Sequence, residues 1–184
     1  MILWVIAIML LCVQSGLAPS RSVALEDVTV IHNGRGEARL LCRHAEIGSM
    51  ENTAVSSASL TFPIQGDTVS RGLSLRVYPI LTAWDPENVS WIDGWDEPGG
   101  DFDRGYGGAI EIDLSTAPQT VSVDVLPMVR EVILGDLPRN GFLVTVPLYE
   151  GEGIPVDDLG RLNLGAGSLD VTYRVVGPGP ARRE

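Results

Sequence analysis

Leu73-Ser74-Leu75-Arg76-Val77-Tyr78 sets Leu, Leu and Val at alternate positions, with Ser and Arg between them. A period of two belongs to a strand with one buried face, because successive side chains leave a strand on opposite sides. Ile110-Glu111-Ile112-Asp113-Leu114 and Val121-Ser122-Val123-Asp124-Val125 repeat the pattern. Working outward, Val28-Thr29-Val30-Ile31 is β-branched and stops at Asn33-Gly34. Ala38 to Arg43 follows. Ser57-Ala58-Ser59-Leu60-Thr61-Phe62 ends at Pro63, and Phe142 to Tyr149 and Leu169 to Val175 complete the set. Gly and Pro between these runs supply turns. Only Pro127 to Gly135 reads as a helix: Pro suits the first turn, Gly the end, and apolar residues return every three or four positions. Eight or so short strands and one short helix predict an all-β fold, an antiparallel jelly-roll β-sandwich.

The chain has 184 residues, of which 45% are hydrophobic, so it can bury a core without staples and is not disordered on composition. Asp and Glu number 24 against 13 basic residues, and every basic residue is Arg. Such a surface repels nucleic-acid phosphates and anionic lipid, and tolerates cations and neutral ligands. Ile2 to Val13 is an unbroken apolar run, followed by a stretch ending in Ser22-Val23-Ala24. That is the pattern of a signal-peptide core and a small-x-small cleavage site, and the run is short for a membrane span. The expected organisation is a signal peptide over 1–24, a single β-sandwich domain over 25–176 and a flexible tail over 177–184. The product is then secreted, extracellular or in the cell envelope, with no membrane span after cleavage. Cys42 would be the only cysteine left, and its place between Leu41 and Arg43 fits a small buried residue on a strand.

Residues 84–106 stand apart. They hold Trp84, Trp91 and Trp95, then Phe102 and Tyr106, among Asp85, Glu87, Asp93, Asp96, Glu97, Asp101 and Asp103, with Gly99-Gly100 in the middle. A long loop in a compact domain is commonly functional or mobile. Trp91, Trp95, Phe102 and Tyr106 are candidate ligand-binding residues: aromatic faces suit sugar rings, and carboxylates accept hydrogen bonds from hydroxyls. Asp93, Asp96, Glu97, Asp101 and Asp103 are candidate metal ligands, because closely spaced carboxylates on a flexible loop suit Ca²⁺. The plain alternative is that the tryptophans, Trp84 and Trp91 above all, plug the end of the core while the acids are solvated turn residues.

The order of motifs resembles the DNRLRE family, the disaggregatase-related domains grouped with carbohydrate-binding modules. The likeness runs through Arg39-Leu40-Leu41, Ser57-Ala58-Ser59-Leu60, Leu75-Arg76-Val77-Tyr78 and the segment Trp84-Asp85-Pro86-Glu87-Asn88-Val89-Ser90-Trp91. It continues through Asp124-Val125-Leu126-Pro127-Met128-Val129, Asn140-Gly141-Phe142 and Leu169-Asp170-Val171-Thr172-Tyr173. The Trp-to-Trp segment is the most specific of these. The resemblance implies a jelly-roll sandwich, an extracellular setting and, for some members, polysaccharide binding.

No Gly-x-Ser-x-Gly elbow, His-Glu-x-x-His pair, phosphate-binding glycine loop or Cys-x-x-Cys occurs. His32 and His44 lie far in sequence from the acidic loop. The expectation is therefore a non-catalytic module whose partner is a polysaccharide or cell-surface glycan, not nucleic acid. A structural or adhesive surface protein without a small ligand is the alternative. The third reading is a polysaccharide-active enzyme using paired carboxylates such as Glu87 with Glu97 or Glu111 with Asp113.

Overall fold

Alternation becomes burial strand by strand. In the computed structural model, Leu73, Leu75 and Val77 turn inward from one strand, and Val121 and Val123 turn inward from another. The structure describes residues 18–44, 53–65, 71–147, 151 and 153–176. The apolar run expected as a leader, the tail 177–184 and the end of the strand expected to reach Tyr149 lie outside the described residues.

The strands are β1 (Ser20–His32), β2 (Glu37–His44), β3 (Thr53–Ile64), β4 (Gly72–Pro79), β5 (Gly108–Asp113) and β6 (Gln119–Asp124). After helix α1 (Leu126–Leu134) come β7 (Phe142–Thr145), the two-residue β8 (Ile154–Pro155), helix α2 (Val156–Leu159) and β9 (Ser168–Val175). All strand pairings are antiparallel. One leaf runs β1-β9-β3-β6 and the other β2-β7-β4-β5, with β8 pairing β2. That double Greek-key order is the expected jelly roll.

β1 joins the leaves. Residues 20–24 pair with β9, and from Leu25 onward the strand pairs with β2. The switch passes through a bulge between Glu26 and Thr29, where Asp27 takes φ 49°. Bulges bend a strand in this way. At the opposite side β5 and β6 approach so closely that a Cβ on Gly108 would lie 2.4 Å from the Asp124 carbonyl oxygen. The expectation of one short helix needs an addition: α2 is a second helix of four residues, too short for periodicity to announce. α1 forms where expected, with Pro127 in its first turn and Met128, Val129 and Val132 buried.

Between the leaves lies the main core, including Leu40, Cys42, Leu60, Phe62, Leu75, Val77, Val123, Phe142, Val144, Leu169 and Val171. Each such side chain contributes about 1.5–3 kcal/mol when removed from water. Cys42 is fully buried here, and burial pushes its thiol pKa up to about 12, against a smaller opposing effect of its hydrogen bond with the Phe142 backbone. It behaves as a small apolar residue rather than a nucleophile.

A second core lies on the outside of the β2-β7-β4-β5 leaf. Ile31, Leu41, Tyr78, Ile80, Trp84 and Leu143 are buried together there, with Val89, Trp91, Trp95 and Phe102 packed on them. The runs Leu40-Leu41-Cys42 and Phe142-Leu143-Val144 do not alternate because both faces of β2 and β7 are covered. The cover is the loop between β4 and β5. Trp84 is its first anchor: it is buried, its indole N–H donates to the Asn140 carbonyl at 2.8 Å, and the Arg43 guanidinium lies 4.4 Å from its ring centroid. The Arg43 guanidinium also donates to the Trp84 carbonyl.

Trp84→Ala should destabilise the fold by about 3–5 kcal/mol, since it removes a buried aromatic and leaves the Asn140 carbonyl without its donor. For a domain of this size that lowers Tm by roughly 10 °C or more. A melting curve matching that of the unmodified protein would show that the outer core does not depend on this ring.

Candidate functional site

The loop between β4 and β5 is closed at its base by backbone. Ile80 forms an isolated bridge with Phe102, the Leu81 amide donates to the Asp101 carbonyl, and the Asp103 amide donates to the Pro79 carbonyl. Each turn inside it then satisfies its own amides. Asp85 accepts from the Glu87 amide at 3.0 Å and from the Asn88 side chain. The Ser90 hydroxyl accepts from the Ile92 and Asp93 amides and donates to the Asp93 carboxylate at 2.8 Å. These are Asx and Ser turns, the local bonds that suit such residues to loops.

Asp101 holds the far end. Its Oδ1 accepts from the Glu97 amide at 3.0 Å, and its Oδ2 accepts from the Asp96 amide at 2.9 Å and the Thr82 hydroxyl at 2.8 Å. Partial burial alone would push this carboxyl up, but the Asp96 amide, the Thr82 hydroxyl and the Glu97 amide together hold its pKa below the ordinary carboxylate range.

The loop is pinned to the sheet by Arg39, on the outer face of β2. Arg39 is buried, and its Nη1 donates to the Gly99 carbonyl at 2.7 Å. Its guanidinium lies 4.7 Å from the Trp91 ring centroid and 5.3 Å from that of Phe102. Cation–π contacts of this kind strengthen when water is excluded. Gly99 has φ 93°, and a Cβ there would stand 2.5 Å from Arg39 Nη1, so both its conformation and its lack of a side chain are required.

Phe102 is the centre of the remaining surface. Its ring lies 5.0 Å from that of Tyr78 and 5.5 Å from the Arg104 guanidinium. It lines a cleft of about 520 Å³ together with Leu81, Thr82, Asp96, Glu97, Gly100, Asp101 and Arg104. The side chains of Asp96, Glu97 and Arg104 are exposed at its rim.

The expected ligand residues divide. Trp91, Trp95 and Phe102 come together, half-buried, on the outer core. The Trp95 indole N–H donates to the Ser90 carbonyl at 2.8 Å. Tyr106 packs instead against the main core between the leaves. Of the expected metal ligands, Asp96, Glu97 and Asp101 share the cleft. Asp93 turns to Ser90, and Asp103 accepts from the Gly105 amide at 2.7 Å. Among the described residues no three His, Cys, Asp or Glu side chains group to hold a metal ion. The residues that sequence reading missed are Arg39, Thr82 and Arg104. Arg39 carries a signal, a charge inside the apolar run Ala38 to Cys42.

Asp101→Asn removes the charge and one acceptor oxygen, and should cost about 1–2 kcal/mol at pH 7. The folded carboxyl titrates below its unfolded value of about 3.9, so its contribution is complete above that pH and is lost as pH falls through the folded pKa. The Tm difference between the variant and the unmodified protein should therefore be full at pH 6–7 and shrink progressively as pH falls below about 4. A difference independent of pH would overturn this role. No family model matches the chain, and a search of curated proteins finds no match.

Proposed function

We propose that this chain is a secreted, non-catalytic carbohydrate-binding module whose site is the cleft around Phe102. The observation that carries the reading is the combination in that cleft. An aromatic ring, the exposed carboxylates of Asp96 and Glu97, and the Arg104 guanidinium sit on a loop held rigid by its own hydrogen bonds. A sugar ring offers C–H groups to an aromatic face and hydroxyls to charged acceptors and donors. A loop already ordered loses little entropy when it binds. The net charge of −11 favours a neutral polysaccharide or cell-surface glycan over a strongly anionic one. The sequence resemblance to DNRLRE domains implies the same kind of ligand, although no family model matches the chain.

Asp101 has both oxygens engaged by the loop and serves it as a clamp rather than as a base. Those bonds do not use every lone pair, so a weak Ca²⁺ contact at Asp101 stays in the proposal as an accessory to the cleft, although among the described residues no three carboxylates group there to hold the ion. The competing reading is a structural or adhesive surface protein. It is favoured by one observation: Trp91 and Trp95 spend much of their surface on the sheet beneath them.

The test is a glycan array followed by titration, with and without Ca²⁺. Glu97→Gln and Arg104→Ala change exposed residues and should leave melting unchanged while weakening binding at least about tenfold, the equivalent of about 1.4 kcal/mol. Uniformly negative arrays in both conditions, or binding that both substitutions leave untouched, would overturn the site and favour the structural reading.

A further inference from the structure

We infer that residues 19–24 belong to the folded domain as the first half of β1, and that a leader peptidase acting on this chain cuts at or upstream of the Ala18–Pro19 bond. The composition of Ser22-Val23-Ala24 suggests a cut after Ala24, but the same residues form a ladder. Ser20 pairs with Thr172, Arg21 with Val171, Ser22 with Asp170, Val23 with Leu169 and Ala24 with Ser168. The Pro19 carbonyl accepts from the Tyr173 amide at 3.0 Å, which extends the ladder one residue further. The Ser22 hydroxyl donates to the Asp170 carboxylate at 2.5 Å. Val23 is 5% exposed and part of the main core.

A cut after Ala24 would strip β9 of its partner on this side. It would leave a row of unpaired backbone groups along a strand whose Leu169 and Val171 are fully packed. It would also sever β1 at the residue where it passes from one leaf to the other, and place a charged amine where the Leu25 amide now meets the Gly167 carbonyl. Leader removal precedes folding, so the ladder does not protect the bond. The product lacking these residues is nevertheless the less stable molecule. A second small-x-small pattern, Gly16-Leu17-Ala18, lies upstream. The inference rests on a leader being removed, not on the glycan site, and the two fail separately.

The experiment is to secrete the full chain and its Val23→Ala variant, which keeps small residues at 22 and 24, and to measure intact mass and melting of both products. The expected N-terminus lies after the apolar run 2–13 and no later than Pro19. The variant should then show its altered mass and a Tm lower by roughly 3–8 °C, as loss of two buried methyls requires. A product beginning at Leu25, with the Val23→Ala change absent from its mass and without effect on its melting, would overturn the inference. An uncleaved product would overturn it as well.

Discussion

Arg39 lies under the loop between β4 and β5, its guanidinium against Trp91 and Phe102 and bonded to the Gly99 carbonyl. A jelly roll needs one buried face per leaf. Here the β2-β7-β4-β5 leaf has two, because Leu41, Tyr78 and Leu143 point away from the main core. Those side chains require a cover, and a loop of more than twenty residues with little regular structure does not cover anything unless it is tied down. Trp84 ties its start, through Asn140 and Arg43. Arg39 ties its middle. The base is closed by the bonds among Pro79, Leu81, Asp101 and Asp103. A buried guanidinium loses its hydration, and it is retained where a planar donor between two rings recovers that loss.

The acidic composition of the loop follows from the same constraint. A compact loop has many amides and few strand partners for them. Asp85, Asp93, Asp101 and Asp103 each direct an oxygen to a neighbouring amide or hydroxyl. The acids thus act first as turn-formers. Asp96 and Glu97, whose amides are the ones held by Asp101, keep their carboxylates at the rim of the cleft. The same short peptide is therefore both the clamped element and the one that presents charge outward.

The strands were legible because alternation is a local property. All eight longer strands and α1 overlap segments marked in the sequence, most by periodicity from Leu73–Tyr78 outward, and β2 and β7 as apolar runs between turn signals. What escaped has physical reasons. β8 and α2 are too short to show a period. β1 is 13 residues rather than four, because the bulge at Asp27 interrupts its alternation and its first half has the small residues of a cleavage site. In the site, Trp84 was recognisable as an anchor from its place after an alternating strand. The grouping of Trp91, Trp95 and Phe102 was legible as a cluster, but not the direction in which the rings face. That direction is set by Arg39, on another strand and 60 residues from Gly99. Tyr106 separates from the others because the chain has by then reached β5 and turned towards the main core.

The runs Leu40-Leu41-Cys42 and Phe142-Leu143-Val144 carry information about layering. In a two-layer sandwich a central strand alternates, so two neighbouring strands that do not alternate announce a third layer. With a single long aromatic segment elsewhere in the chain, that layer has only one source. Once the segment is placed on those strands, Trp91, Trp95 and Phe102 lie half-buried on the sheet beneath them. Phe102 is the ring shared by Tyr78, Arg39 and Arg104. The packing that buries Leu41 and Leu143 also holds Phe102 in place, which is the pre-organisation that the proposed glycan site would need.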